Sequence, residues 1–314
     1  MHERQEMLVG KKAQKKINKS TVVVLGVGAL GTVAAELLVR AGIGSLIIID
    51  RDVVEASNLS RQTLYSHRDI GRSKVIAAKE RLDTIEPNIK VTAQAIHFNA
   101  RNCGILGEAD LIMDCTDNLE ARFVLNDYCR KESKRWVYAA AIRTSGYVMP
   151  ILPGGPCVRC FLREAPLETC ETAGVINTIT VSIAALQVQI ALELLWGKTV
   201  KSELYHYDLE AKTFRKLAVV RNIKCPTCRG RFEYLIPKKE STLIQFCGSG
   251  RYQINGAKKN LLQLRERWAR QDHVQHDGTT LRFKNILLFA DGRTLIKANS
   301  EAEALATYSK WVGN

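Results

Sequence analysis

The sequence is short of acidic residues, of proline and of long apolar runs. Against 46 Lys and Arg stand only 32 Asp and Glu, a formal net charge of +14 over 314 residues. Such a balance favours acidic partners, phosphates among them, and does not bear on the fold. With 7 prolines and 46% hydrophobic residues, disordered and collagen-like classes are excluded. No unbroken apolar run reaches the ~18 residues of a membrane span, so no membrane association is expected. Met1–Ser20 holds six Lys and Arg, two Glu and no apolar core of a signal peptide, and a cytoplasmic location is the expectation. Basic residues concentrate in Arg4–Lys19 and in Lys212–Lys239, which carries nine Lys and Arg and one acid. These runs permit a nucleic-acid partner, which salt would weaken steeply. An acidic protein partner or a solvated face accounts for them more simply.

What is present has a clear order. Thr21–Leu25 is a β-branched apolar run that ends in glycines, the pattern of a buried parallel strand. Ala29–Ala41 places Leu30, Val33, Ala34, Leu37 and Leu38 at helical spacing, and Gly42 stops it. Strands are expected at Ser45–Ile49, Val91–Ala95, Leu111–Asp114 and Trp136–Ala140, with helices at Lys74–Ile85 and Asn118–Lys131. Alternation at this spacing means a parallel sheet with right-handed crossovers. From Pro150 a Pro/Gly-rich loop leads into cysteines, followed by a long apolar helix at Val175–Trp196 and antiparallel strands at Tyr205–Asp208 and Thr213–Val220. Lys238–Thr242 reads as a linker. It separates a domain of residues 1–236 from a small α+β domain of residues 243–314. The smaller one has helices at Leu261–Ala269 and Glu301–Trp311, strands at Thr280–Phe283, Ile286–Phe289 and Thr294–Ala298, and a turn at Asp291-Gly292.

Gly26-Val-Gly28-Ala29-Leu30-Gly31 follows the first strand and opens a helix. That arrangement allows a tight turn, close backbone approach to phosphate and a helix N-terminus aimed at negative charge. Asp50 ends the next strand, 19 residues after Gly31, where a carboxylate meets a ribose hydroxyl. The motif alone does not separate NAD from ATP. Asp50-Arg-Asp52 continues through Glu55, Asn58, Arg61 and Gln62 to Lys74, and Cys115-Thr-Asp117-Asn118 ends the fourth strand. Nicotinamide chemistry leaves these charges without work. Triphosphate chemistry uses cations to hold phosphates and a carboxylate to hold Mg2+.

The chain resembles the ThiF/MoeB/HesA family, relatives of the ubiquitin-activating enzymes. The resemblance rests on Arg4-Gln5, Gly26–Gly31, Asp50-Arg-Asp52, Ser57-Asn-Leu-Ser-Arg-Gln62, Gly71-Arg-Ser-Lys74, Asp114-Cys-Thr-Asp-Asn118, Cys157-x-x-Cys160, Thr169-Cys-Glu-Thr-Ala-Gly-Val175 and Cys225-x-x-Cys228. They occur in the family's order and cover about residues 1–231. The resemblance implies that ATP adenylates the C-terminal glycine of a small ubiquitin-like sulfur carrier protein and that pyrophosphate leaves. It also implies residue roles. Asp50, with backbone groups of Gly28, Ala29 and Leu30, holds the nucleoside. Asn58, Arg61 and Lys74 meet the phosphates, with Gln62 beside them. Asp117 holds Mg2+, with Asp52 and Asn118 nearby. Arg4 acts in trans in the partner site of a homodimer. Cys170 is a candidate covalent link to carrier or sulfur. Because no rhodanese-like segment is recognised, a separate sulfur donor protein is expected. Family variants that adenylate a tRNA base or a peptide terminus, and a nicotinamide-dependent oxidoreductase outside the family, remain the competing readings.

Cys157-Val-Arg-Cys160 and Cys225-Pro-Thr-Cys228 are two knuckle-like pairs separated by 64 residues. Four thiolates suit tetrahedral Zn2+, and so wide a gap requires the tertiary fold to unite them. The alternative is four reduced thiols. Cys103, Cys115 and Cys129 read as core residues; Cys247 has no assigned role. The expected fold is therefore α/β: a Rossmann-like, mostly parallel sheet with an antiparallel extension, a structural zinc site and a small α+β C-terminal domain.

Overall fold

Val22, Val23, Val24 and Leu25 leave no polar face to wet, so β1 (Thr21–Leu25) is buried on both sides. Val22 and Val24 enter one core layer, Val23 and Leu25 the other. In the computed structural model, which describes residues 2–162, 173–237, 243–246 and 251–313, β1 pairs in parallel with β2 (Ser45–Ile49). On its other side it pairs in parallel with the Leu111–Asp114 strand. With β3 (Lys90–Gln94), β4 (Leu111–Asp114) and β5 (Trp136–Ile142), the order 3-2-1-4-5 is that of a doubly wound sheet. Antiparallel strands β6 (Ser145–Ile151), β7 (Glu203–Asp208) and β8 (Thr213–Ala218) extend it. Strand order reverses between β1 and β4, the switch point at whose carboxyl edge ligands bind in such folds.

Among the described residues, the α-helices of this unit (Met1–Pro237) include α1 (Glu3–Val9), α2 (Lys11–Ile17), α3 (Ala29–Arg40), α4 (Lys74–Ile85), α5 (Leu119–Lys131) and α6 (Asn177–Trp196). Side chains of α3, α4 and α6 fill the layer under Val22 and Val24, and those of α5 fill the opposite layer. The second unit (Lys238–Asn314) is an antiparallel sheet of β9 (Leu243–Phe246), β10 (Arg251–Asn255), β11 (Val274–His276), β12 (Thr280–Phe283), β13 (Ile286–Phe289) and β14 (Arg293–Lys297), with α7 (Leu261–Ala269) and α8 (Glu301–Trp311). Its core centres on Trp268, 0% exposed and stacked on Phe283 with ring centroids 5.0 Å apart. At the Asp291-Gly292 turn, Gly292 has φ +93° and donates its N–H to Phe289, which lets β13 double back as β14.

Several sequence expectations change. Pro150 does not begin a loop: β6 runs through it to Ile151. The pairing of β6 with β7 stops at Val148, so the missing N–H of Pro150 lies where the strand has a free edge. The apolar helix starts at Asn177, because Val175 pairs with Arg143 instead. By length and composition α6 is apolar enough to cross a membrane, which counting unbroken runs missed; 56% of its most apolar window is buried within the protein. The basic N-terminal stretch forms two helices, fixed by Gln5 and Gln14 donating to the Ala41 carbonyl at 3.0 Å each. The Lys238–Thr242 linker, the loop around Cys170, and Cys247 lie outside the described residues.

Candidate active site

Three glycines shape the turn after β1, each differently. Gly26 has φ +87°, and a Cβ there would stand 2.7 Å from the Cys115 carbonyl oxygen. A Cβ on Gly31 would stand 1.9 Å from the Gly26 oxygen, because α3 packs directly on the turn. A Cβ on Gly28 would meet nothing closer than Gln62 Nε2 at 3.8 Å. A side chain at Gly28 would therefore clash with nothing, and Gly28 caps the N-terminus of α3, where backbone N–H groups can receive an anion. Ala29 is the first residue of α3 and has no positive φ, so its methyl group is tolerated.

The segment Asn58–Gln62 folds over this turn. Asn58 is buried, and its Oδ1 accepts from Glu55 N–H at 3.0 Å. Arg61 is half-buried and donates to Ser57 O at 2.9 Å. Gln62 is 4% exposed, and its Oε1 has no hydrogen-bond partner, a buried acceptor left for a ligand donor. Two residues missed by sequence reading pin the segment down. Tyr65 Oη donates to Val27 O at 2.8 Å, and Thr32 Oγ1 donates to Gly28 O at 2.8 Å while accepting from Thr63 N–H at 3.2 Å.

Charge gathers beside the turn. Asp50 accepts from Val27 N–H at 2.7 Å and from Asp52 N–H at 2.8 Å, so it braces the glycine turn. Burial pushes its carboxyl above the usual range, against the pull of Lys74. Lys74 is 7% exposed, and its Nζ lies 3.4 Å from Asp52 Oδ2. Burial alone would lower it; the carboxylates of Asp50, Asp52 and Asp117 outweigh that and raise it. Lys74 is thus a buried ammonium among three acids. Asp117 is exposed at the β4 end, while the Asn118 side-chain oxygen caps α5 by accepting from Glu120 and Ala121 N–H.

Asp117 stands on a turn held from beneath. Arg122 Nε lies 2.6 Å from Asp114 Oδ2, and its Nη2 donates to the Thr116 and Ala139 carbonyls at 2.5 and 3.0 Å. Asp114 also accepts from Thr116 N–H and Oγ1. From α6, Gln187 donates to the Asp114 and Val137 carbonyls. Arg4 lies elsewhere. Its neighbour Gln5 is tied to Ala41 at the C-terminal end of α3, and Gly28 is at the other end. Twelve helical residues span about 18 Å, so within one chain Arg4 stays far from the glycine turn.

The four cysteines do meet. Sγ separations are 3.9 Å for Cys157–Cys160, 3.6 Å for Cys157–Cys225, and 3.5 Å for both Cys160–Cys228 and Cys157–Cys228. Tetrahedral zinc with Zn–S bonds of about 2.3 Å requires sulfurs ~3.8 Å apart. The donor set therefore fits that ion. Cys103, Cys115 and Cys129 are buried, as expected of core residues.

A doubly wound sheet, a glycine turn at the N-terminus of a helix, and an ammonium among acids at the switch point together define a nucleotide-binding α/β unit. The ThiF family model matches residues 2–227, and the chain belongs to that family. It is 34% identical to the sulfur carrier protein ThiS adenylyltransferase of Bacillus subtilis, over 99% of both chains. It is 37% identical to the molybdopterin-synthase adenylyltransferase of Escherichia coli, over 68% of this chain and 89% of that one. The fold is also that of the crystal structure of E. coli MccB with ATP, at TM-score 0.65 and 21% identity, covering 72% and 73% of the two chains.

Proposed function

We propose that this protein uses ATP to adenylate the C-terminal glycine of a small ubiquitin-like sulfur carrier protein. The observation that carries this reading is Lys74, buried among Asp50, Asp52 and Asp117, with its Nζ 3.4 Å from Asp52 Oδ2, beside the glycine turn that Asp50 braces. A hydride-transfer site has no use for that cluster. Similarity to the B. subtilis enzyme runs through the C-terminal unit, whereas the E. coli ThiS and molybdopterin-synthase adenylyltransferases match 69% and 68% of the chain, so the extent of similarity favours neither carrier.

In this reading a carrier carboxylate oxygen bonds to the α-phosphorus while the bond to the pyrophosphate oxygen breaks, giving an acyl-adenylate and free pyrophosphate. Backbone amides at the start of α3 and the Gln62 Nε2 group meet the phosphates, and Gln62 Oε1 accepts from a ligand hydroxyl or amine. Lys74 and Arg61 offset charge that builds on phosphate oxygens, a contribution that fixed, buried donors make large. Asp50 takes the ribose hydroxyls, and Asn58 keeps the phosphate-facing segment in shape. Asp117 and Asp52 hold Mg2+, which supplies neutralising charge to the triphosphate when bound. Arg4, about a helix length away in its own chain, serves the partner site of a homodimer. Cys170 takes up activated carrier or sulfur, a separate protein donates the sulfur, and the reaction runs in the cytoplasm. The four cysteines hold a structural zinc ion, with no open position for substrate.

Pyrophosphate exchange into ATP tests the reading. Exchange is expected only with a carrier ending in Gly-Gly, and intact mass spectrometry should find AMP attached to that carrier. Asp117→Ala, which touches no core contact, is expected to lower exchange by at least ~100-fold with an unchanged melting temperature. Undiminished exchange in that variant would refute the metal-holding role.

A further inference from the structure

The cysteine pairs are distant in sequence, and one helix holds both loops. On the first loop, the Val158 N–H, between Cys157 and Cys160, donates to Asn126 Oδ1 at 3.0 Å. On the second, Thr227 Oγ1, between Cys225 and Cys228, donates to Asp127 Oδ1 at 2.5 Å, and Tyr234 N–H donates to Asp127 Oδ2 at 3.0 Å. One turn further along α5, Arg130 donates to the Gly155 carbonyl, just before the first pair, and to Cys228 Sγ of the second at 3.5 Å. Asn126 and Asp127 are 1% and 0% exposed. Phe123, one turn back from Asp127, adds a ring contact to Tyr234 at 4.9 Å.

A buried carboxylate is costly unless its oxygens are satisfied. Asp127 satisfies both of its oxygens with donors from the second cysteine loop, while its neighbour Asn126 holds the first. None of these side chains belongs to the nucleotide crevice, so the nucleotide reaction does not account for them. Four thiolates around Zn2+ also carry two surplus negative charges, and Arg130 is the cation placed against one of the sulfurs.

We propose that Asn126, Asp127 and Arg130 form the template on which the metal centre assembles. They hold both pairs at ligand spacing before metal arrives, and Arg130 offsets the charge of the thiolates once it is bound. The proposal rests on the zinc reading above.

The test uses the full chain, with zinc content by elemental analysis, zinc affinity by competition with a chromophoric chelator, and melting temperature with and without zinc. Asp127→Ala is expected to weaken zinc binding by ~10–100-fold, with partial recovery in Asp127→Asn, which keeps one acceptor oxygen. The zinc-free melting temperature should fall, because these contacts exist without metal, but the zinc-loaded value should fall further, so the rise that zinc confers shrinks while ATP binding stays close to wild type. A residue of merely structural importance would instead lower both values equally and leave zinc affinity unchanged. Arg130→Met should hasten zinc release to a thiol-modifying reagent, and Arg130→Lys should restore part of the lifetime. If Asp127→Ala does not fold, Thr227→Val, which removes one hydroxyl donor, must show a smaller loss of zinc affinity in the same direction. Wild-type protein without zinc would overturn the zinc reading and the template with it. Zinc-loaded wild type with variants that bind zinc equally well would overturn the template alone.

Discussion

Replacing Arg122 by methionine removes one partner of a fully buried ion pair and keeps most of the side-chain volume. Asp114 is 0% exposed and Arg122 6%, and their atoms meet at 2.6 Å. The substitution leaves Asp114 charged in the interior and also strips donors from the Thr116 and Ala139 carbonyls. Losing one side of such a pair costs about 3–5 kcal/mol, since the remaining charge cannot be rehydrated. For a unit of this size, each kcal/mol lowers the melting temperature by about 2–4 °C, so a drop of about 6–20 °C is expected. Urea denaturation followed by circular dichroism gives the free energy directly. The double variant Arg122→Met with Asp114→Asn should regain at least about half of the loss, because no charge is then stranded. The same turn carries Asp117, so kcat/KM for ATP should fall by ~100-fold in the single variant. A loss below about 1 kcal/mol would mean that Asp114 finds other partners, and the account of how Asp117 is held would fail.

Two glycine variants should separate folding from binding. Gly31→Ala drives a methyl group into the Gly26 carbonyl and is expected to cost at least about 1–3 kcal/mol in denaturation. Gly28→Ala meets only Gln62 Nε2, at an ordinary contact distance of 3.8 Å, and should melt like wild type, yet bind ATP at least ~10-fold more weakly by calorimetry; wild-type affinity would mean that no phosphate sits there. The raised pKa of Lys74 sets a pH window. Its stabilisation is complete below its ordinary value of 10.5 and is lost only as pH rises through its higher native value. The difference in ATP affinity between wild type and Lys74→Met should therefore stay flat from about pH 7 to about pH 9.5. A difference that declines across that range would show a depressed pKa.

Much of this was legible along the chain because the relevant physics is local. Strand β1 announces itself as a run of β-branched residues, the glycine turn as a spacing, and α4 and α5 as helical segments alternating with strands. The positions of Asp50, Lys74 and Asp117 relative to the parallel strands followed from alternation alone. Other features carry no local mark. Pro150 reads as a breaker, and only the register with β7 reveals a strand edge that tolerates it. Gln187 reads as a polar interruption of an apolar helix, yet it closes two carbonyls at the ends of β4 and β5. Arg122 and Tyr65 resemble ordinary surface or core residues until the turns they hold are in place.

The sequence by itself determined the chemistry available: which residues carry charge, which turns need glycine, and which cysteines come in ligand-spaced pairs. Those properties belong to single residues and their near neighbours, so chain order is enough to read them. Only the tertiary structure decided how that chemistry is held. It buried Lys74 among three acids, set Arg122 beneath Asp117, and brought two cysteine pairs with 64 residues between them to within 4 Å of each other. Electrostatic strength depends on distance and on exclusion of water, and neither quantity exists until the elements have packed.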